Sequence, residues 1–252
     1  MAVADVDNTS MISELFFARE RSGFWHELLP MEEKFVRELN TLRTEQFARR
    51  TKGLVPHFAR DFVNELAFRL FQATASNRKL FAVRSVQRVD LDGLVSETRQ
   101  YIERLRSSSG RPFQPLVVTA AHINEAQAIA QRLRLCFQTE MLLGSLIFEP
   151  AFPGCGIVDE ANGDIYAHGT LFEVKAGDRS FRATDVRQLL TYAALNHASE
   201  RYSIESLGLV NPRHGTRAIF ALDECCLQMA GESAPDVLAA IVHELSRVEI
   251  SV

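Results

Sequence analysis

The stretch "GIVDEANGDIYAHGTLFEVKAG", residues 156–177, carries carboxylates and one lysine inside what otherwise reads as β-hairpin sequence. Two short turn signals punctuate it, Asn162-Gly163 and His168-Gly169, and such pairs suit two-residue hairpin loops. Side chains two apart on a strand share a face. In "TLFEVKA" this puts Leu171, Glu173 and Lys175 on one side, with Phe172 and Val174 turned the other way into a core. A turn at His168-Gly169 then sets Asp164 directly opposite Glu173, with β-carbons roughly 5 Å apart.

Two carboxylates so close repel unless positive charge lies between them. Mg²⁺ satisfies both, because it takes oxygen ligands in an octahedron and keeps several waters for chemistry. Lys175 beside that ion would orient or help deprotonate an attacking water, while the ion offsets charge growing on a phosphate. A Glu-x-Lys pair alone is equally the solvated face of an ordinary strand, and the next helix is what favours a site. In "RQLLTYAAL", Gln188 and Tyr192 lie four apart, on one face of the helix expected after the strands.

The order Asp164, Glu173-x-Lys175, then Gln188-x-x-x-Tyr192 on the next helix resembles the PD-(D/E)xK nuclease superfamily, and within it the RecB-like branch that carries a Gln-Tyr helix. The motifs cover about residues 156–192, and the expected order of helix, three strands, helix and strand extends the likeness to roughly 115–215. The resemblance implies an α/β fold with a restriction-endonuclease-like αβββαβ core, and cleavage of DNA with Mg²⁺ or Mn²⁺. It implies Asp164 and Glu173 as metal ligands with the Val174 carbonyl as a third. Lys175 would place the nucleophilic water, and Gln188 and Tyr192 would contact the site or the strand. It also implies a place in bacterial defence or DNA processing within a larger complex. An RNA-cutting effector is chemically equivalent, and a catalytically silent nucleic-acid-binding or scaffold subunit is the competing class. The intact Asp, Glu and Lys count against that last reading.

Asp159 is the other candidate for the first ligand, because Gly156-x-Val158-Asp159 also looks like the family's acidic motif. A turn at Asn162-Gly163 would pair Asp159 with Tyr166, seven residues before Glu173, or about 23 Å at strand rise. Geometry therefore favours Asp164 and leaves Asp159 as the reserve or an additional outer ligand. His122 and Glu125, on the helix expected before the strands, are further candidates of the kind the family uses.

Outward from this stretch the chain divides. Residues 1–112 read as a helical domain for docking a protein partner, a second copy or DNA, and residues 113–252 as the nuclease-like domain, with the Ser/Gly run near 107–112 between them. Helical spacing is clear in "PHFARDFVNELAFRLFQATA", where Phe58, Phe62, Leu66 and Leu70 recur every four residues. Trp25 is expected as an anchor between helices. The basic residues Arg49, Arg50 and Lys52, near an expected helix end, and Arg213, at a turn after a strand, are candidates for phosphate contact.

With 252 residues, 46% of them hydrophobic, the chain can bury a core without disulfides. Its four cysteines lack the spacing of a zinc pair or an iron–sulfur ligand set and are expected as buried thiols. A net charge of −4 argues against a general polyanion binder, and it is uneven: residues 1–120 balance at +3 and residues 121–252 at −7. No apolar run is long enough to span a membrane, and acids interrupt the first thirty residues. A soluble, cytoplasmic protein is the expectation.

Overall fold

The computed structural model describes residues 11–51, 53, 55–75, 90–108 and 116–247. Three short helices, α1 (Glu14–Glu20), α2 (Ser22–Leu28) and α3 (Glu32–Glu38), lead through a π-helical turn at Leu39–Arg43 into a two-residue strand, β1 (Glu45–Gln46). A 3₁₀ turn at His57–Ala59 opens onto α4 (Arg60–Ala75), and α5 (Leu91–Ser108), α6 (Ala120–Cys136) and α7 (Gln138–Leu143) come after it. The strands β2 (Ile147–Phe148), β3 (Ala151–Phe152), β4 (Ala161–Asn162), β5 (Ile165–Ala167) and β6 (Thr170–Val174) are next. The last described elements are α8 (Ala183–Ser199), β7 (Ser206–Asn211), β8 (Thr216–Ala221), α9 (Leu222–Ala230) and α10 (Ala234–Arg247).

Among the described residues, six strands form one mixed sheet in the order β1-β8-β7-β6-β5-β2, and β3 and β4 pair separately. Within that sheet only β6 and β7 run parallel, and α8 supplies the crossover that a parallel pair requires. The chain is therefore α/β. Alternation along the central strands sorts the core into two layers. Leu171, Leu207 and Leu209 point to one side, where they meet Phe17, Trp25, Leu189 and Ile241 from α1, α2, α8 and α10. Phe172 and Val210 point to the other, against Phe62 and Leu66 of α4 and Ile129 and Leu133 of α6.

The helices that precede residue 112 lie on both faces of this sheet rather than in a core of their own. α1 packs along α8, α4 along α6, and β1 extends the sheet by pairing with β8. The spacing expected in α4 holds for Phe62, Leu66 and Leu70, which are buried, while Phe58 precedes the α-helix and is exposed. Trp25 is fully buried, with its indole N–H donating to the Phe17 carbonyl at 3.1 Å. α10 buries Ala234, Val237, Leu238, Ile241 and Leu245, a stripe at helical spacing.

The turn at His168-Gly169 forms as read, with φ of 45° and 77° at its two residues, the positive pair that a type I′ hairpin demands. The turn expected at Asn162-Gly163 does not. Asn162 pairs with Ala151 and the Gly163 N–H donates to the Pro150 carbonyl at 3.0 Å, so the chain runs on from β4 to β5 along β3 and β2. The reason lies across the pair, where Glu149 takes a positive φ of 50° ahead of Pro150 and kinks the partner strand. At the start of α8, Asp185 accepts the Arg182 N–H at 2.9 Å.

Gly208 of β7 lies beside Phe172 of β6, and a β-carbon there would sit 2.2 Å from the ring's Cδ1. That ring is buried and held edge-on by Phe137. Gly208→Ala should therefore destabilise the protein by about 1–3 kcal/mol, read as a fall of several degrees in the thermal midpoint.

Candidate active site

The hairpin continues its register past the last named pair. Ile165 faces Phe172, so Asp164 and Glu173 are the next residues opposite each other. Here the ladder ends on a side chain: the Val174 N–H donates to Asp164 Oδ2 at 2.6 Å. Strand alternation brings Glu173 and Lys175 to the α8 side, and the Lys175 ammonium donates to Glu173 Oε1 at 2.8 Å and to Gln188 Oε1 at 2.6 Å. The Gln188 amide N–H₂ donates onward to the Tyr192 hydroxyl and to Glu14 Oε1, both at 3.1 Å, and the Tyr192 hydroxyl donates to Glu14 Oε1 at 3.0 Å. One connected polar group thus joins Glu173, Lys175, Gln188 and Tyr192, with Asp164 facing Glu173 across the hairpin.

Two members of this group carry no sequence signal of their own. Glu14 comes from α1, which packs along α8, and nothing in its local sequence separates it from an ordinary first-turn acid. Asp185 stands 3.9 Å from Lys175 and is itself clamped by Arg179 through contacts of 2.6 and 2.7 Å.

The electrostatics are those of anions in excess. Burial, then the charge of Glu173, raises the Asp164 carboxyl well above the usual carboxylate range. Burial also raises Glu173, against a partial offset from Lys175. Glu173 is 6% exposed, and its Oε2 is buried with no hydrogen-bond partner among the described residues. Burial lowers Lys175, but Glu173, Asp185 and Asp164 outweigh it and leave the ammonium above its ordinary value. Lys175 is therefore a cation at neutral pH and a donor. Burial, with Glu173 and Glu14 nearby, keeps the Tyr192 phenol protonated.

A cavity of about 500 Å³ opens beside Asp164 and Val174, walled by α4 and α5. Among the described residues, no group of three or more His, Cys, Asp or Glu side chains is placed to hold a metal ion. The carboxylates that face each other at the hairpin number two, and a Mg²⁺ ion held by so few protein ligands keeps several waters.

Several expected site residues lie elsewhere. Asp159 is exposed, its N–H donates to the Ile12 carbonyl at 3.1 Å, and the pairing with Tyr166 is not formed because Tyr166 pairs with Ile147. Arg213 is not a surface contact for phosphate. It is 1% exposed, donates from Nε to the Ala176 carbonyl at 2.6 Å and from Nη2 to Asn64 Oδ1 at 3.0 Å, and is ion-paired with Glu125. Glu125 spends its other oxygen on the Val55 N–H at 3.0 Å, and His122 Nδ1 caps its own helix against Thr119. Arg49 and Arg50 are exposed, and Arg50 reaches the carbonyl of Asp178, in the loop just after Lys175, at 3.2 Å. Lys52 lies outside the described residues. No helix among the described residues is long and apolar enough to cross a membrane. Comparison with protein-family models, with curated proteins and with solved structures found no match.

The buried charges set how stability responds to pH and to substitution. Because Asp164 holds a proton more tightly folded than unfolded, the folded state binds more protons between the ordinary carboxylate pKa and the raised one, and stability falls as pH rises through that window. Asp164→Asn removes that loss and keeps an acceptor for the Val174 N–H. Thermal melts should show the variant above wild type at pH 7–8, with the gap closing toward pH 4. Arg213→Ala removes the ion pair of the buried Glu125, at a cost of about 3–5 kcal/mol that chemical denaturation will register.

Proposed function

We propose that the chain is a metal-dependent nuclease that hydrolyses phosphodiester bonds in nucleic acid, DNA foremost, on a core of the PD-(D/E)xK kind. The observation that carries this reading is the hydrogen-bonded group Glu173–Lys175–Gln188–Tyr192 with Asp164 opposite Glu173. The order of elements supports it: α6, the short α7, the strands β2–β3 and β4–β5, then β6, α8 and β7.

The residues fit a divalent cation. Glu173 Oε2 is buried and unpartnered, and both carboxylates are raised by burial, with Glu173 adding to the rise at Asp164, which is where added positive charge is most stabilising. Asp164, Glu173 and the Val174 carbonyl would hold Mg²⁺ or Mn²⁺, which supplies a water of lowered pKa and neutralises charge on the phosphate.

The chain's own residues do the rest. Lys175, a cation with Oε1 of Glu173 and of Gln188 as its acceptors, orients the attacking water and lies close to the developing negative charge. Gln188 fixes that ammonium, since its N–H₂ is committed to Tyr192 and Glu14 and only its oxygen faces the lysine. Tyr192 stays a neutral donor that pins Glu14. Arg50, exposed beside the loop after Lys175, is placed to meet a backbone phosphate along the approach.

The test is cleavage of circular DNA, linear DNA and RNA in Mg²⁺ or Mn²⁺ by wild type and by four single variants. Glu173→Ala, Lys175→Ala and Asp164→Ala should each lower the rate by about 100-fold or more, and Asp159→Ala should leave it near wild type. A Glu173→Ala protein as active as wild type on every substrate would overturn the proposal.

A further inference from the structure

The cavity beside Asp164 is built unlike a phosphate groove. Its lining holds four acids, Asp61, Glu65, Glu149 and Asp164, of which Glu65 pairs with Arg69 and Asp61 with Arg106 at 3.0 Å. With acids still in excess, such a lining favours a neutral group rich in N–H donors over a free phosphate. On one side the Arg69 guanidinium lies over the Tyr101 ring at 5.2 Å, with Glu65 Oε1 accepting from Arg69 Nε at 2.7 Å. Asn64 lines the same wall, and because its Oδ1 accepts from Arg213 at 3.0 Å, what its amide has left to offer is N–H.

We propose that this cavity is a pocket for one unpaired nucleobase, so that the substrate is single-stranded nucleic acid or a frayed or extruded nucleotide. The proposal rests on the nuclease reading for the place of the phosphate, at Asp164 and the Val174 backbone on the cavity's wall. A volume of about 500 Å³ is within the ordinary range for a small-molecule site. The stacked Tyr101 and Arg69 offer the planar surface on which bases bind with little regard to sequence. The carboxylates accept from exocyclic and ring N–H groups, and Asn64 donates to ring nitrogens or carbonyls. In a duplex those edges are already paired, so entry requires a base out of the stack.

Binding and cleavage separate the two readings. The probe is a fluorescein-labelled eight-nucleotide single strand, with a blunt duplex of the same sequence, measured by fluorescence anisotropy in Ca²⁺. Wild type should hold the single strand at least tenfold tighter than the duplex. Tyr101→Ala should weaken the single strand about tenfold, as a lost stacking contact does, and Tyr101→Phe should keep the affinity. Equal affinity for the two probes, no effect of Tyr101→Ala, no binding of the single strand, or competition by spermidine alone would overturn the pocket. Cleavage that depends on Lys175 without dependence on Tyr101 would leave the nuclease standing and remove the pocket. Tyr101-dependent binding without any cleavage would do the reverse.

Discussion

The structure is organised around a buried charge imbalance at the end of β6. Glu173 and Lys175 lie under α8 as an ion pair, with Asp164 across the hairpin and Asp185 and Glu14 behind. Taking each ion out of water costs several kcal/mol, and the polar arrangement around the pair answers that cost one contact at a time. Gln188 supplies the lysine's second acceptor, Arg179 holds Asp185, and Tyr192 holds Glu14. What stays unanswered is one oxygen of Glu173, and the candidate function is read at that point.

The scaffold that holds this group draws on distant parts of the chain. Arg213, fully enclosed, joins the loop after β7 to Glu125 of α6, Asn64 of α4 and the Ala176 carbonyl, one residue beyond Lys175. Its role is to hold the back of the site in place. α1 contributes on the other face by bringing Glu14 to α8. Both layers of the core therefore include residues from before the Ser/Gly run, and the N-terminal helices are part of what shapes the site.

How much of this was legible in the sequence depended on how local the cause was. The pairing of Asp164 with Glu173 comes from a two-residue turn and the two-residue repeat of a strand, both contained in ten residues. The alternation of Leu171 and Phe172 into separate core layers was readable in the same way. Asn162-Gly163 misled because its conformation is decided by the kink at Glu149 and Pro150 on the partner strand. Glu14 and Arg213 could not be placed, since their partners lie 174 and 88 residues away, and only packing brings them together. A charged residue in a loop sequence such as "NPRHG" reads as exposed until the elements around it close.

The type I′ turn at His168-Gly169 has a further meaning for how the chain can vary. It sets the count between Asp164 and Glu173, and a one-residue slip of β6 in its pairing would send Glu173 and Lys175 toward the α4 and α6 layer and bring Phe172 up under α8. The stretch between Phe152 and Ala161 lies outside that register and is held separately, with Ile157 and Val158 in the core and Asp159 at the surface.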